Sequence, residues 1–275
     1  MKVAIIGTGR VGGTLALLLA NNPKIDKLIL INRTKETAEG LKMGLMGTFP
    51  ETAPKVLIGE YKDAKEADII FITCGVFGVP EGTNLFDVNK KILEEVFNGW
   101  KPKKDAKLAV IPTPVDEIVL IALKLSGLDP KNVIGFGGQL DVNRLKYLIY
   151  RDTGNLPKEA YFVGVHGAAG IPIFRDKVSN RQQIAEDSKN YFKKFLSKLK
   201  ISTHATSAEL AKLFEALTNE EYTILDISYF DKNRKLFITW PCKVNRKGIK
   251  DIIDLKLSRE EREEFDKLIA SRSRD

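Results

Sequence analysis

The first twenty residues restrict the fold more than any other part of the chain. Met1-Lys2-Val3-Ala4-Ile5-Ile6 is an apolar run of the length expected for a buried strand. It leads without a break into Gly7-Thr8-Gly9-Arg10-Val11-Gly12-Gly13, and Thr14 to Ala20 then reads as a helix. Strand, glycine turn and helix in direct succession form the setting in which G-x-G-x-x-G carries weight. Gly7 permits the tight turn, Gly9 lets the backbone approach a pyrophosphate, and Gly12 lets helix and strand pack closely. The helix N-terminus offers free N–H groups to the anion, and Arg10 and Val11 of the turn are expected beside the cofactor. A dinucleotide-binding unit is therefore expected; the alternative is a glycine turn with no ligand.

The rest of the N-terminal half repeats the alternation. Strands are expected at Lys27–Ile31, Lys55–Gly59, Ala67–Thr73 and Ala106–Ile111, and helices at Thr34–Met46, Leu85–Phe97 and Val115–Leu125. Such alternation implies a parallel sheet with right-handed crossovers. From about Gln139 the texture changes to a helix through Tyr150, a strand at Tyr161–Val165, and helices near Arg181–Lys198 and Ser207–Leu217. Three strand-like runs follow at Tyr222–Ser228, Leu236–Trp240 and Ile249–Leu255. The expected fold class is α/β, a Rossmann-type doubly wound parallel sheet (residues 1–138) followed by an α+β substrate domain (residues 139–275).

Bulk properties exclude several classes. No apolar run reaches the ~18–20 residues of a membrane span, and the chain starts inside a strand with no signal peptide before it. Cys74 and Cys242 are too few for a disulfide framework and give no metal-ligand spacing, so no metal is expected. A cytoplasmic protein follows. The net charge of +8 is spread among acidic residues, as in Lys256 to Glu264, which suits a solvated helix face better than a nucleic-acid surface.

At the end of the second strand stands Ile31-Asn32-Arg33-Thr34, where a carboxylate would ordinarily hold the adenosine ribose. Asn32 is neutral, Arg33 and Thr34 can hydrogen-bond a 2′-phosphate, and Lys35 adds charge. NADP is therefore favoured over NAD; the alternative is that Arg33 only opens a surface helix.

The chain has two histidines. Gln139-Leu140-Asp141-Val142-Asn143-Arg144 and Gly164-Val165-His166-Gly167 could pair one of them with an aspartate, an arginine three residues from that aspartate. A carboxylate orienting an imidazole, beside an arginine, suits acid/base chemistry on a carboxylic acid.

Together these pieces resemble the lactate/malate dehydrogenase family over nearly the whole chain. The glycine turn matches. Thr73-Cys74-Gly75 stands where the family usually has Thr-Ala-Gly, and Pro114-Val115-Asp116 resembles the segment after its fifth strand. Val133-Ile134-Gly135 through Asp141 and Arg144 is similar to the start of its substrate domain, and Pro241 to Ser258 is similar to its C-terminal region. The resemblance implies that His166 exchanges a proton with the carbonyl oxygen, Asp141 orients the imidazole, and Arg144 grips the substrate carboxylate. It places Thr73 and Gly75 beside the cofactor and implies a homodimer or homotetramer.

The chain also departs from the family. The loop after the fourth strand, Val76 to Asn84, carries no cation, whereas the family has a polarising arginine there. Asn84 takes that position, Gly78 the specificity position, and Thr113 stands for the usual asparagine; Asn84 and Thr113 thus join Arg144 as expected substrate contacts. An NAD(P)-dependent oxidoreductase acting on a 2-oxo or 2-hydroxy acid with an uncharged side chain is expected. A dinucleotide-binding paralogue without turnover, acting as sensor or interaction protein, is the alternative. An ordinary malate or lactate dehydrogenase ranks third, and would need Arg10 or Arg175 to reach the site. His204 is expected just before a helix, as a cap among Ser202, Thr203 and Thr206 or as an extra polar contact. Cys74 reads as packing rather than a nucleophile.

Overall fold

The computed structural model describes residues 1–76, 80, 82–199 and 203–272. Its centre is a parallel sheet of β1 (Lys2–Ile6), β2 (Lys27–Ile31), β3 (Val56–Gly59), β4 (Ile69–Ile72), β5 (Lys107–Val110) and β6 (Val133–Gly135). The spatial order is β3-β2-β1-β4-β5-β6. β1, β2, β4 and β5 are almost wholly apolar because helices cover both faces of a parallel sheet. Alternation along β1 sends Val3 and Ile5 to one core, with α1 (Arg10–Ala20), α2 (Lys35–Thr48) and α7 (His204–Ala216). Ala4 and Ile6 go to the other, with α3 (Leu85–Val96) and α4 (Val115–Ser126). Phe71 is fully buried, and truncating such a side chain to alanine costs ~3–5 kcal/mol.

Beyond β6 the chain forms α5 (Gly138–Thr153), the antiparallel pair β7 (Ala160–Val163) and β8 (Ile171–Phe174), and α6 (Arg181–Leu199). After α7 come β9 (Thr223–Asp231), β10 (Leu236–Asn245), β11 (Gly248–Ile252) and α8 (Arg259–Arg272). β9, β10 and β11 do not form a sheet of their own. They continue the first one antiparallel, β9 joining β6 at the pair Gly135↔Ser228, so a single nine-stranded sheet runs through both halves of the chain.

Several sequence expectations need correcting. α1 begins at Arg10 rather than Thr14, because Gly12 and Gly13 already lie within its first turns. β6 has three residues and is too short to show a period. β8, Ile-Pro-Ile-Phe, is a strand that the sequence reading does not include. β10 runs past Trp240 to Asn245, since Pro241 lies where the β11 ladder ends at Cys242↔Ile252. His204 opens α7 rather than preceding it. Among the described residues no helix is long and apolar enough to cross a membrane.

Candidate active site

The glycine turn is built as a cradle. Gly7 has φ +101°, and a Cβ there would lie 2.3 Å from the Cys74 nitrogen, so only glycine fits between β1 and the end of β4. A Cβ at Gly12 would meet the Gly7 carbonyl oxygen at 2.0 Å, whereas one at Gly9 would meet nothing within 4 Å. Gly7 thus makes the turn, Gly9 leaves the backbone open and Gly12 allows close packing. Thr73 ties the cradle together, its hydroxyl donating to the Gly7 carbonyl at 2.6 Å. The Thr8 hydroxyl is buried without a partner among the described residues. An open backbone at a helix N-terminus beside an unpaired buried hydroxyl fits a dinucleotide pyrophosphate.

Asn32 is engaged in holding this turn. Its carboxamide oxygen accepts the Thr8 N–H at 3.1 Å, and its NH2 donates to the Thr34 carbonyl at 3.0 Å. Asn32, Arg33 and Lys35 line a cavity of about 800 Å³ at the ends of β2 and β3, opposite Tyr61 and Lys62. The carboxylates of the lining are engaged: Glu60 pairs with Lys62 at 3.0 Å, Asp63 accepts the Glu60 N–H at 2.8 Å, and Glu95 accepts the Tyr61 hydroxyl at 3.4 Å. Burial, with Glu95 adding to it, pushes the Tyr61 phenol to about 12. Thr34 is the N-cap of α2 and is not part of this lining.

The candidate acid/base group assembles from α5 and the segment after β7. Asp141 lies in the first turn of α5, where the helix dipole favours a carboxylate, and Arg144 follows one turn later on the same face. Asp141 Oδ1 accepts from the Arg144 guanidinium at 2.6 Å. Its Oδ2 lies 2.6 Å from His166 Nδ1 and accepts the Gly167 N–H at 2.9 Å. An ionised carboxylate can only accept, so Nδ1 carries the proton and Nε2 is free for chemistry. Gly137 makes room for the ring, since a Cβ there would lie 2.5 Å from His166 Cγ.

These contacts decide the electrostatics. Burial would push Asp141 up, but the charge and hydrogen bond of His166, the Arg144 charge and the Gly167 N–H outweigh it and hold the carboxyl below its usual range. Burial would likewise push His166 down, but the Asp141 charge and hydrogen bond, aided by Asp116, outweigh it and hold the imidazole above its usual value.

His166 and Arg144 line a cavity of about 350 Å³ together with Gly9, Arg10 and Val11 of the turn and with Thr73 and Gly75. Thr113 also lines it. Several lining residues were not expected at the site: Phe136 before α5 and Leu140 within it, Phe192 and Leu196 on α6, and Thr203 and Thr206 at α7. The Arg144 guanidinium lies 4.8 Å from the centre of the Phe192 ring. Only the helical spacing of Phe192 and Leu196 hinted at a shared apolar face.

Asn84 is not brought into this cavity. Its carboxamide oxygen caps α3 by accepting the Phe86 N–H at 3.0 Å, as an Asn before a helix commonly does. The polar side chain that ties the loop to the site is the buried Asn89, which donates to the carbonyls of Thr113 at 2.7 Å and Val76 at 3.1 Å. Residues 77–79 and 81 of the loop, Gly78 among them, lie outside the described residues, as does Ser202. Arg10 lines the cavity but Arg175 does not, being bound to Glu261 at 2.7 and 2.8 Å. His204 is exposed and absent from the lining. Burial pushes the Cys74 thiol to about 12, which suits packing and not nucleophilic attack.

Comparison with known proteins agrees with this geometry. The family profile for the lactate/malate dehydrogenase NAD binding domain matches residues 1–135. The chain is 27% identical over 293 residues to L-lactate dehydrogenase 2 of Bacillus cereus, covering 96% of this chain and 93% of the relative. A lactate dehydrogenase structure from a Medee basin deep-sea metagenome library superposes with a TM-score of 0.85 at 26% identity, over 98% of this chain and 96% of the other. The fold is shared with malate dehydrogenase of Cryptosporidium parvum, at a TM-score of 0.86 and 24% identity over 98% and 96% of the two chains. From the glycine cradle to β6 the chain carries the NAD binding domain of the lactate/malate dehydrogenase family, and its likeness to these dehydrogenases runs on through the histidine pair.

Proposed function

We propose that the protein is a nicotinamide-dinucleotide-dependent dehydrogenase that interconverts a 2-hydroxy acid and a 2-oxo acid. One observation carries this reading: a single cavity is lined both by the glycine turn and by Arg144 and His166. Residues 1–138 then hold the dinucleotide and residues 139–275 supply the substrate chemistry. The bound dinucleotide would give or take the hydride. Arg144 holds the substrate carboxylate by a charge-assisted hydrogen bond. In reduction, His166 Nε2 donates its proton to the carbonyl oxygen as the C–H bond forms, leaving a neutral imidazole; in oxidation it takes the hydroxyl proton back. Asp141 keeps Nδ1 protonated and the ring oriented throughout.

An uncharged substrate side chain is favoured by the apolar wall of Phe136, Leu140, Phe192 and Leu196 and by the cation-free sequence of the loop. A preference for NADP over NAD is favoured by Arg33, which has no hydrogen-bond or ion-pair partner among the described residues and lines the cavity at the end of β2, where Asn32 stands in place of a ribose-binding carboxylate. Exposed Leu17, Leu18 and Met43 on α1 and α2 favour a homodimer or homotetramer; a cytoplasmic location completes the reading.

The test is oxidation of NADPH and of NADH across a panel of 2-oxo acids that includes oxaloacetate, with His166→Asn and Arg10→Gln alongside. Turnover on an apolar 2-oxo acid that disappears in His166→Asn is the expected result. Arg10→Gln should weaken the dinucleotide and leave the ranking of acids unchanged; a selective loss of oxaloacetate turnover would assign Arg10 to a second carboxylate. The loop without a cation favours a second reading, a dinucleotide-binding paralogue without turnover. That reading takes over if cofactor binds tightly and no acid is reduced.

A further inference from the structure

His166 is held by carboxylates from two different helices. Asp141 meets its ring. On the main-chain side stands Asp116, in the first turn of α4 and 4% exposed. Its Oδ2 accepts the His166 backbone N–H at 3.1 Å, and its Oδ1 accepts the Ser228 hydroxyl at 2.6 Å and the Thr239 hydroxyl at 3.3 Å. Ser228 and Thr239 are cross-strand partners on β9 and β10; Ser228 also faces Gly135 of β6, and Thr239 pairs with Gly164, two residues before the histidine. Asp116 therefore sits where the parallel strands, the antiparallel strands and the histidine segment meet. Proton transfer at Nε2 makes no direct use of it.

We propose that Asp116 is a positioning residue for His166, fixing its main chain from the side opposite Asp141 and adding a second buried negative charge that favours the imidazolium. Three donors converge on its two oxygens, as an acceptor-only carboxylate requires. Burial raises the affinity of Asp116 for a proton, and the Arg272 charge, the Ser228 hydroxyl and the His166 N–H offset only part of that rise. The charged groups around the pair are Asp141 and Arg144 from α5 and Arg272 from α8, the last bound to Glu117 at 2.9 Å. The consequence for catalysis rests on the dehydrogenase reading; the positioning itself does not.

Because the chain has only two histidines, the titration of His166 can be read directly. Protein carrying isotope-labelled histidine would be titrated by NMR, with His204→Gln identifying the second imidazole. In Asp116→Asn, which keeps an acceptor but loses the charge, the His166 midpoint should fall by on the order of one pH unit. Ser228→Ala, a smaller change that weakens the carboxylate's solvation, should move it the same way by less, and serves alone if Asp116→Asn does not fold. An unchanged midpoint in a natively folded variant would overturn the proposal. None of this requires turnover, so an inactive protein would remove the dehydrogenase reading without touching the result. In an active one, the alkaline limb of kcat/KM for reduction should shift with the NMR midpoint, while KM at acid pH stays put; a purely structural role would lower activity without moving that limb.

Discussion

His166 Nδ1 and Asp141 Oδ2 lie 2.6 Å apart although 25 residues separate them in the chain. The pair raises the imidazole's proton affinity, and this sets the pH dependence of each direction. On the proposed dehydrogenase reading, reduction needs the imidazolium, so it should be fully active at low pH and be lost as pH rises through a midpoint above the usual histidine value. Oxidation needs the neutral ring and shows the opposite limb. Asp141→Asn should cut kcat/KM by roughly 10²–10⁴-fold and lower the midpoint. Pre-steady-state and steady-state pH profiles of both directions check this, and a profile flat from acid to alkaline pH would remove His166 from the proton transfer.

Arg144 is fixed from two sides, its Nη1 by Asp141 and its guanidinium face by Phe192. Arg144→Lys keeps the charge but loses the planar fork, and should cost about 2–5 kcal/mol of transition-state binding. Phe192→Ala removes an aromatic support worth roughly 0.5–2 kcal/mol and should appear mainly as a higher KM for the 2-oxo acid. Comparing kcat and KM separately in the two variants checks this; equal losses in kcat alone would place Phe192 outside substrate binding.

The β2 end offers a cofactor switch. Arg33→Ser should weaken NADP by about 10–100-fold, the value of a charge-assisted hydrogen bond, with little effect on NAD. Asn32→Asp retains the acceptor for the Thr8 N–H and introduces a carboxylate, so it should favour NAD. Calorimetry with each dinucleotide would decide it, and equal losses for both cofactors in Arg33→Ser would refute the NADP preference.

Asp226 makes a different kind of prediction. Burial pushes this carboxyl to about 7, opposed by the Phe162 N–H and the Lys146 charge. The native state therefore binds a proton that the unfolded chain releases near pH 4, and stability declines as pH rises between those values. Asp226→Asn should stabilise the protein by about 1–3 kcal/mol at pH 8 and leave it nearly unchanged at about pH 3.5, below the unfolded value. Urea unfolding at the two pH values measures the difference.

Much of the site could be read from neighbours in the chain. Gly7, Gly9 and Gly12 declare their roles within six positions because a strand, turn and helix form a local unit. Asp141 and Arg144 share a helix face by spacing alone. Asn84 shows the limit of reading by position: its place matched a family arginine, but locally it is a helix cap, and the cap took precedence.

What the sequence by itself determined is the parallel α/β half, since apolar runs and glycine turns act over short distances, together with the residue types of the acid/base group. Only the tertiary structure decided that β9, β10 and β11 extend the first sheet, that Asn89 rather than Asn84 ties the loop to the site, and that Asp116 reaches the main chain of His166. Those contacts join segments 24 to 123 residues apart or more, as Asn89 with Thr113 and Asp116 with Thr239 illustrate. Their partners are chosen by strand pairing and burial, and a periodicity confined to one element carries no record of what will pack against it.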